Sequence, residues 1–440
     1  MGSNPTPSAI PMVIRLGIVK MVMVRAIKGT KDILPGEVSR WHLIESAARE
    51  TFGNFGYEEI RTPMFEETEL FIRGIGEATD VVAKEMYTFS DRSGNSLTLR
   101  PEMTAPVVRA CIEHHLEHDR TPLRLYYMGP MFRYERPQKG RFRQFHQIGA
   151  EVIGSDHPAI EAEAIEMLLL MLERLQINGS ELDVNSIGCS QCRPAYLDLL
   201  RSQVFSRLEN FCIDCRDRAT RNVLRVLDCK QESCQLEIDC LAVISDHLCW
   251  ECRNHFQDFR AWLDKKDIRF RHRPRLVRGL DYYEKTTFEI TSPLLGAQNA
   301  LAGGGRYDGL SVMLGGKPFK GFGFAMGLER LVLALPEKMA QECSHPPEIH
   351  ILPLSPEAVE KASLTASKFR RMGVKCLLDY QDRSIKSGLR SADRSGAHWA
   401  LILGEDELRT GLWQLKDLKG QGQRAISEGE LFQMFATGKT

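Results

Sequence analysis

Apolar residues recur at helical spacing over 37–56, where Trp41, Ile44, Ala48, Thr51, Phe52 and Phe55 share one stripe and Gly56 closes the element. Extended segments follow at 57–66 and 86–100. A hairpin comes next: 124–135 runs out, 136–144 makes a long basic loop, and 145–154 returns. Asp156, with Pro158 in the first turn, starts an amphipathic helix reaching about Gln176. Residues 189–270 are Cys-rich, helical and charged, with the character of an insertion. Strand patterns resume at 286–291 and 297–302, and the apolar helix 326–335 ends the domain. Pro346-Pro347 marks the boundary.

Beyond it the pattern changes. Strands at 348–354, 374–380 and 399–404 alternate with helices at 357–372 and 384–395; a strand at 412–417 and a helix from about Ser427 complete the tail. This alternation predicts a small α/β domain with a largely parallel sheet, whereas the hairpin-rich first domain is α+β with an antiparallel sheet. No internal repeat is present.

Composition narrows the class. The chain has 440 residues, 58 Lys+Arg against 58 Asp+Glu, and 43% apolar residues, which excludes a disordered or collagen-like protein and leaves room for two or three domains. Zero net charge argues against wholesale electrostatic binding of nucleic acid but not against a local basic patch. No uncharged apolar run of about 18 residues occurs, so no membrane-spanning helix is expected. Residues 1–25 read as an N-terminal extension. Their apolar stretch is broken by Arg15 and Lys20, which a signal peptide would not be, and it is short of the Ser and Arg of a transit peptide. Met21 or Met23 could equally begin the working protein.

Nine of the twelve cysteines lie between Cys189 and Cys252: the C-x-x-C pairs Cys189/Cys192, Cys212/Cys215 and Cys249/Cys252, with Cys229, Cys234 and Cys240. In a cytosolic chain such pairs point to structural zinc before disulfides, and two four-thiolate sites would use eight of the nine. The plain alternative is unligated thiols on a helical insertion. Redox catalysis lacks a thioredoxin-like context around any pair.

Three segments carry charge that a core would not accept: 99–105 (LRPEMTA), 131–136 (MFRYER) continuing to Glu151, and 276–283 (LVRGLDYY). AGGGRYDG at 302–309 and GLER at 327–330 follow. Residues 133–147 hold Arg133, Arg136, Lys139, Arg141 and Arg143 against Glu135 alone. With Phe142 and Phe145 interleaved, that loop suits phosphate contacts and base stacking; a solvated basic turn is the alternative. Neither a P-loop nor a G-x-G-x-x-G fingerprint occurs, so bound phosphates need arginine forks, foremost Arg133 and Arg330. Taken alone, Gly303-Gly304-Gly305 reads as a bulge or tight turn.

Together these residues resemble the histidyl-tRNA synthetase family of class II aminoacyl-tRNA synthetases. KGTKD at 28–32 opens the match, FRYE at 132–135 is similar to the class's second motif, and GLER at 327–330 to its third. VRGLDYY at 277–283 and AGGGRYDG at 302–309 resemble the two peptides peculiar to the histidine enzymes. The resemblance is close over 26–335 and extends through 440. It implies a class II catalytic domain at 26–340 with a helical insertion at about 189–270, and an anticodon-binding domain at 346–440, in a cytoplasmic homodimer. It also implies ATP with Mg2+, L-histidine and the histidine-specific tRNA as reaction partners.

Carried over position by position, the resemblance implies that Arg133 holds the α-phosphate with Glu135 beside it. Arg330 holds the ATP tail and adenine face, and Arg278 stabilises charge on the α-phosphate. Glu102, Thr104 and Gln147 fix the ammonium end of histidine, above Met103 on the floor of the pocket; Glu151 and Tyr283 read the imidazole, with Tyr282 and Tyr307 lining the pocket. Met103 stands where many relatives have glycine. Arg136, Lys139, Arg141 and Arg143 approach the tRNA acceptor end. Lys386, Arg390 and Arg394, one stripe at i, i+4 and i+8, could meet anticodon phosphates or solvent. A binding-module reading competes, because a paralogous group serves as a regulatory subunit of ATP phosphoribosyltransferase. Such chains lack the anticodon domain and lose catalytic arginines, and this chain keeps Arg133, Arg278 and Arg330.

Overall fold

The computed structural model describes residues 23–116, 122–138, 140–296, 299–342, 346–381, 384–420 and 422–436. The chain divides after Met339 into two compact units. The N-terminal stretch 1–22 and Lys139 lie outside the described residues. Among the described residues no helix is long and apolar enough to cross a membrane.

The first unit is built on an eight-stranded sheet. Its strand order is Glu58–Glu59, Leu123–Phe132, Gln144–Ile153, Gly321–Gly327, Ala300–Arg306, Glu284–Thr291, Glu181–Ser186 and Arg271–His272. The six inner strands pair antiparallel, as expected, while the two short outermost strands pair parallel to their neighbours. Period-two alternation gives the sheet two unlike faces. One is aromatic: Phe52, from the helix Pro35–Asn54, packs edge-on against Tyr126 and Phe324 at 5.6 and 6.0 Å, and Phe288 stacks on Phe322 at 5.9 Å. The helix Pro158–Arg174 follows the predicted span closely, with proline in its first turn, and packs beside the Pro35–Asn54 helix.

The opposite face carries little bulk at its centre. Across it the register runs Tyr127–Gly149–Ala325–Gly303–Glu289 in one row and Leu125–Glu151–Gly323–Gly305–Thr287 in the next, with Gly129–Gln147–Gly327 beyond. The glycine run 303–305 is therefore not a tight turn, although the register against Glu284–Thr291 does shift between Gly305 and Arg306. It forms the middle of a central strand buried from Leu301 onward, whose missing side chains make room for those of other segments. A smaller antiparallel sheet, Phe65–Glu67, Ser96–Leu99 and Tyr87–Ser90, has Ser96–Leu99 in the middle and delivers the chain to Arg100. Arg100 is buried, and its guanidinium donates to the carbonyls of Pro130, Thr62 and Pro63.

One buried ion pair fastens sheet to helix. Arg306 donates to Glu161 Oε1 at 2.6 Å, His255 Nε2 lies 2.7 Å from the same oxygen, and Arg306 also donates to Asp308 at 3.0 Å. Burial pushes the Glu161 carboxyl up, but the Arg306 and His255 charges outweigh it and hold the group at about 2.

The second unit has a five-stranded sheet ordered Cys376–Leu378, Ile349–Pro353, Trp399–Leu403, Leu412–Asp417 and Gln423–Ser427. The first two pairings are parallel, as the βαβ alternation requires. The last two are antiparallel, so the sheet is mixed rather than largely parallel, and Gln423–Ser427 is a strand the pattern did not announce. Ser355 and Ser384 cap the helices Pro356–Arg371 and Ile385–Arg394 by accepting from Ala358 N and Ser387 N.

Glu161→Ala leaves the Arg306 guanidinium buried with Asp308 as its remaining carboxylate. The expected loss is about 3–5 kcal/mol on urea unfolding of the first unit, whereas an exposed ion-pair deletion such as Glu69→Ala costs less than about 1 kcal/mol.

Candidate active site

Four segments converge on the glycine-paved face. The first is the turn entering the helix Thr104–His114. Glu102 is buried there and accepts from the backbone N–H groups of Thr104 (2.7 Å) and Ala105 (2.9 Å), so its carboxylate caps that helix. Met103, between them, turns its side chain into a core with Val107, Cys111 and Leu125, where its sulfur accepts from the Thr62 hydroxyl at 3.4 Å. The residue at 103 thus offers the site its backbone.

The second segment is the strand Gln144–Ile153, which sends Gln147 and Glu151 to the same face. Glu151 Oε1 accepts from Thr104 Oγ1 at 2.8 Å and from Tyr127 Oη at 3.4 Å, and Oε2 accepts from Tyr307 Oη at 2.6 Å. A Cβ on Gly323, the cross-strand neighbour, would stand 1.6 Å from Glu151 Oε2. Only glycine lets this carboxyl lie flat on the sheet. Burial pushes Glu151 up to about 8; the Tyr307 and Thr104 hydrogen bonds pull the other way, and the charge of Glu102 adds to the rise. Burial also raises Glu102. Two buried carboxyls facing one small space are suited to receive cationic or N–H-bearing groups. The Gln147 carboxamide oxygen is buried there and meets no hydrogen-bond donor among the described residues.

The third segment is 277–283. Tyr282 donates to Glu102 Oε2 at 3.3 Å, its ring lies 4.6 Å from that of Tyr283, and Tyr307 stands edge-on to it at 6.0 Å. Arg278 lies on Gly303, where a Cβ would come within 2.3 Å of its Nη2, and its Nη1 donates to Glu289 Oε2 at 2.8 Å. Glu289 is the cross-strand partner of Gly303, so carboxylate and glycine together orient the guanidinium. Its Nε is buried and unpartnered within the described residues.

The fourth is the 133–143 loop with the helix Leu328–Ala334. Arg133 donates to the Pro101 carbonyl at 2.9 Å and sits 5.4 Å above the Phe145 ring. Arg330 ties the Ala300 carbonyl (2.7 Å) to Gly140 of the loop (3.4 Å). Glu329, next to it, accepts the His146 N–H at 2.9 Å. Three arginines and two buried carboxyls around a side-chain-free floor can hold a zwitterionic amino acid against a phosphate.

Residues 29–331 match the Histidyl-tRNA synthetase family, and residues 348–437 the Anticodon binding domain family. The histidine–tRNA ligase of Halothermothrix orenii is 47% identical over 93% of this chain and 98% of its own length. That of Syntrophotalea carbinolica is 48% identical over 92% and 96%. The crystal structure of apo S. aureus histidyl-tRNA synthetase superposes with a TM-score of 0.78 at 34% identity, covering 94% of this chain and all of that one. The chain belongs to the histidyl-tRNA synthetase family.

The site residues expected from the family resemblance that lie among the described residues fall in these four segments and the basic loop, except Tyr307, which directly follows the strand Ala300–Arg306. Tyr127 and Glu289 are additions: both sit in strand alternation that reads as core, and only cross-strand register brings them to Glu151 and Arg278. In the basic loop Glu135 pairs with Arg141 and lies 3.9 Å from Arg133, Arg143 stacks on the exposed Tyr134 ring at 3.9 Å, and Arg136 is exposed. In the second unit Lys386, Arg390 and Arg394 share the exposed face of their helix.

The insertion gathers its thiols into two groups, Cys189/Cys192/Cys249/Cys252 and Cys212/Cys215/Cys229/Cys234, each with all sulfurs within 4.8 Å. Cys240 is exposed and apart. The insertion and segment 277–281 line a half-open pocket of about 260 Å³ that includes Arg193, Arg221, Arg225 and Arg278.

A carboxyl whose value in the folded chain lies above its ordinary one favours folding most at low pH and loses that contribution as pH rises through the folded value. Stability should therefore fall by up to about 1.4 kcal/mol per pH unit between about pH 5 and 8 on account of Glu151. The Glu151→Gln chain should lack that slope when both are unfolded in urea across the range.

Proposed function

We propose that this chain activates L-histidine with ATP and transfers it to the 3′ end of its tRNA. The observation that carries the reading is the juxtaposition of the hydroxyl-ringed Glu151 and the helix-capping Glu102 with Arg133 and Arg278 on one glycine-paved floor. Glu102, Thr104 and Gln147, with the backbone at Met103, take the ammonium group, to which the two carboxyls are suited. Glu151 and Tyr283 pair the imidazole nitrogens, with Tyr282 and Tyr307 as walls. A side chain lacking those nitrogens leaves a buried carboxyl unpaired, which discriminates by up to about 10⁴–10⁵ without editing.

The histidine carboxylate oxygen forms a bond to the α-phosphorus of ATP, the bond from that phosphorus to the bridging oxygen breaks, and pyrophosphate leaves. The terminal ribose hydroxyl of the tRNA then attacks the carbonyl and AMP departs. Neither step needs an enzyme nucleophile, so the protein supplies position and charge. Arg133, with Glu135 beside it, receives the α-phosphate, Arg278 the charge that grows on it, and Arg330 the ATP tail; magnesium arrives as the ATP complex.

The reading takes residues 26–340 as catalytic domain, with the 189–270 insertion, and 346–440 as anticodon-binding domain, in a cytoplasmic homodimer. Arg136, Lys139, Arg141 and Arg143 serve the acceptor end, and the Lys386/Arg390/Arg394 face serves the anticodon arm. The two thiol groups are structural zinc sites.

Histidine-dependent exchange of labelled pyrophosphate into ATP, run without tRNA, tests the reading. Arg278→Ala should lower kcat by about 10²–10³-fold. A folded wild-type chain that binds histidine yet exchanges nothing would be a regulatory binding module instead. Arg136→Ala should leave exchange unchanged, weaken tRNA charging, and reduce the salt dependence of tRNA binding by about one charge.

A further inference from the structure

Zinc–thiolate bonds of about 2.3 Å set the edges of a regular tetrahedron at about 3.8 Å. The sulfur separations here are 3.8 Å for Cys189–Cys192, 3.9 Å for Cys189–Cys249 and Cys192–Cys252, and 4.0 Å for Cys212–Cys229. Backbone N–H groups point at sulfur as they do toward thiolates: Cys189 N to Cys192 Sγ at 3.3 Å and Cys212 N to Cys234 Sγ at 3.2 Å. The elements joined are short, with helices Arg193–Phe205, Ile213–Arg221, Glu232–Ile238 and Trp250–Lys265 and 3-10 segments of three to six residues between them. Most are too short to be stable alone, and a small core of this kind ordinarily needs staples.

What leaves these nodes is directed at the active site. One residue before Cys189, the Gly188 carbonyl accepts from Lys285 N at 2.8 Å, and Ile187 N donates to the Lys285 carbonyl at 2.7 Å. Lys285 holds a left-handed φ of 50°, a conformation that costs energy for a side-chain-bearing residue, and those two bonds, with its Nζ donating to Asp308 at 3.3 Å, hold it there. One residue after Cys192, Arg193 donates to the Tyr283 carbonyl at 2.8 Å and faces Glu284 at 3.6 Å. Between Cys215 and Cys229, Asn222 donates to Asp281 at 2.7 Å, and Arg225 Nη1 lies 2.8 Å from where a Cβ of Gly279 would stand. Just past Cys234, the carbonyls of Ile238, Asp239 and Leu241 accept from Arg275 at 2.8, 2.7 and 3.0 Å. Segment 275–285 is thus held at both ends and in the middle by residues that either adjoin a cysteine of one group or lie within a few residues of the other.

We infer that the insertion is a zinc-fastened clamp that sets segment 275–285, and with it Arg278, Tyr282 and Tyr283, in the geometry needed for histidine activation. The inference rests on the zinc reading proposed above. Arg193, Asn222 and Arg225 are positioning residues: they touch backbone and carboxylates of the segment and act on the reaction through it.

The intact chain, purified without chelator, should hold two zinc ions by mass spectrometric metal analysis. Stripping with TPEN under reducing conditions should raise amide hydrogen exchange of residues 276–285 about tenfold or more while leaving the strand Leu123–Phe132 protected, and zinc added back should restore it. Arg193→Met and Asn222→Ala, which keep all eight thiols, should retain both zinc ions, show the same local loss of protection, and lower kcat of pyrophosphate exchange about tenfold with a smaller change in the KM for ATP. Absence of metal overturns the zinc reading and the clamp together. Two zinc ions whose removal leaves exchange at 276–285 unchanged overturns the clamp and leaves the zinc reading standing. Unaltered kcat and protection in both positioning variants overturns it likewise.

Discussion

Two carboxyls buried in one small pocket are the expense around which the first unit is organised. Glu151 sits on the sheet, ringed by Thr104, Tyr127 and Tyr307, while Glu102 is held by two backbone N–H groups and Tyr282. Burial lifts Glu151 to about 8, the sign of a carboxyl that is costly to ionise where it sits. Everything around it serves to tolerate that. The glycines opposite each polar side chain let carboxyl and guanidinium lie against backbone instead of competing for volume, and the aromatic packing of the other face supplies the burial energy that the polar face lacks.

A floor without side chains has a second consequence: it cannot orient what lies on it. Arg278 is aimed by Glu289 across the sheet and by a segment that comes from outside the sheet altogether. That explains why so many bonds from the insertion end on backbone or carboxylates of 275–285. The buried Arg306–Glu161–His255 group works the same way from below. Arg306 adjoins Tyr307, and His255 lies on the helix that starts at Cys249 and Cys252, so one thiol group is linked to both walls of the pocket.

Much of this was legible in the residues. The helices at Pro35–Asn54 and Pro158–Arg174 and the long hairpin follow from periodicity and proline placement, and charge inside buried-type segments marked Glu102, Arg133, Glu151 and Arg278. Register was not legible. Tyr127 and Glu289 stand in ordinary strand alternation, and their importance comes from which residue faces them on another strand. Gly303–Gly305 misled for a related reason: glycine carries no pattern, so a strand interior and a tight turn look alike until its neighbours are known. Gln423–Ser427 is short and mostly exposed, and an antiparallel return after parallel strands has no local signature.

The zero net charge also takes on meaning at this level. A chain that handles a polyanion could carry a broad positive field, and this one has local patches instead. In the basic loop Glu135 already engages Arg141, and Arg143 is stacked on Tyr134, so the loop is shaped before any phosphate arrives. Exchanging an internal carboxylate for a phosphate gains less energy than pairing a free arginine, but it limits nonspecific attraction and fixes where the anion lands. On the proposed reading the second unit follows the opposite plan: Lys386, Arg390 and Arg394 stand exposed along a serine-capped helix, free to track a backbone. A preorganised loop at the reacting end and a permissive basic face for the distant arm is the division of labour expected when only one of the two contacts must position a bond to be made.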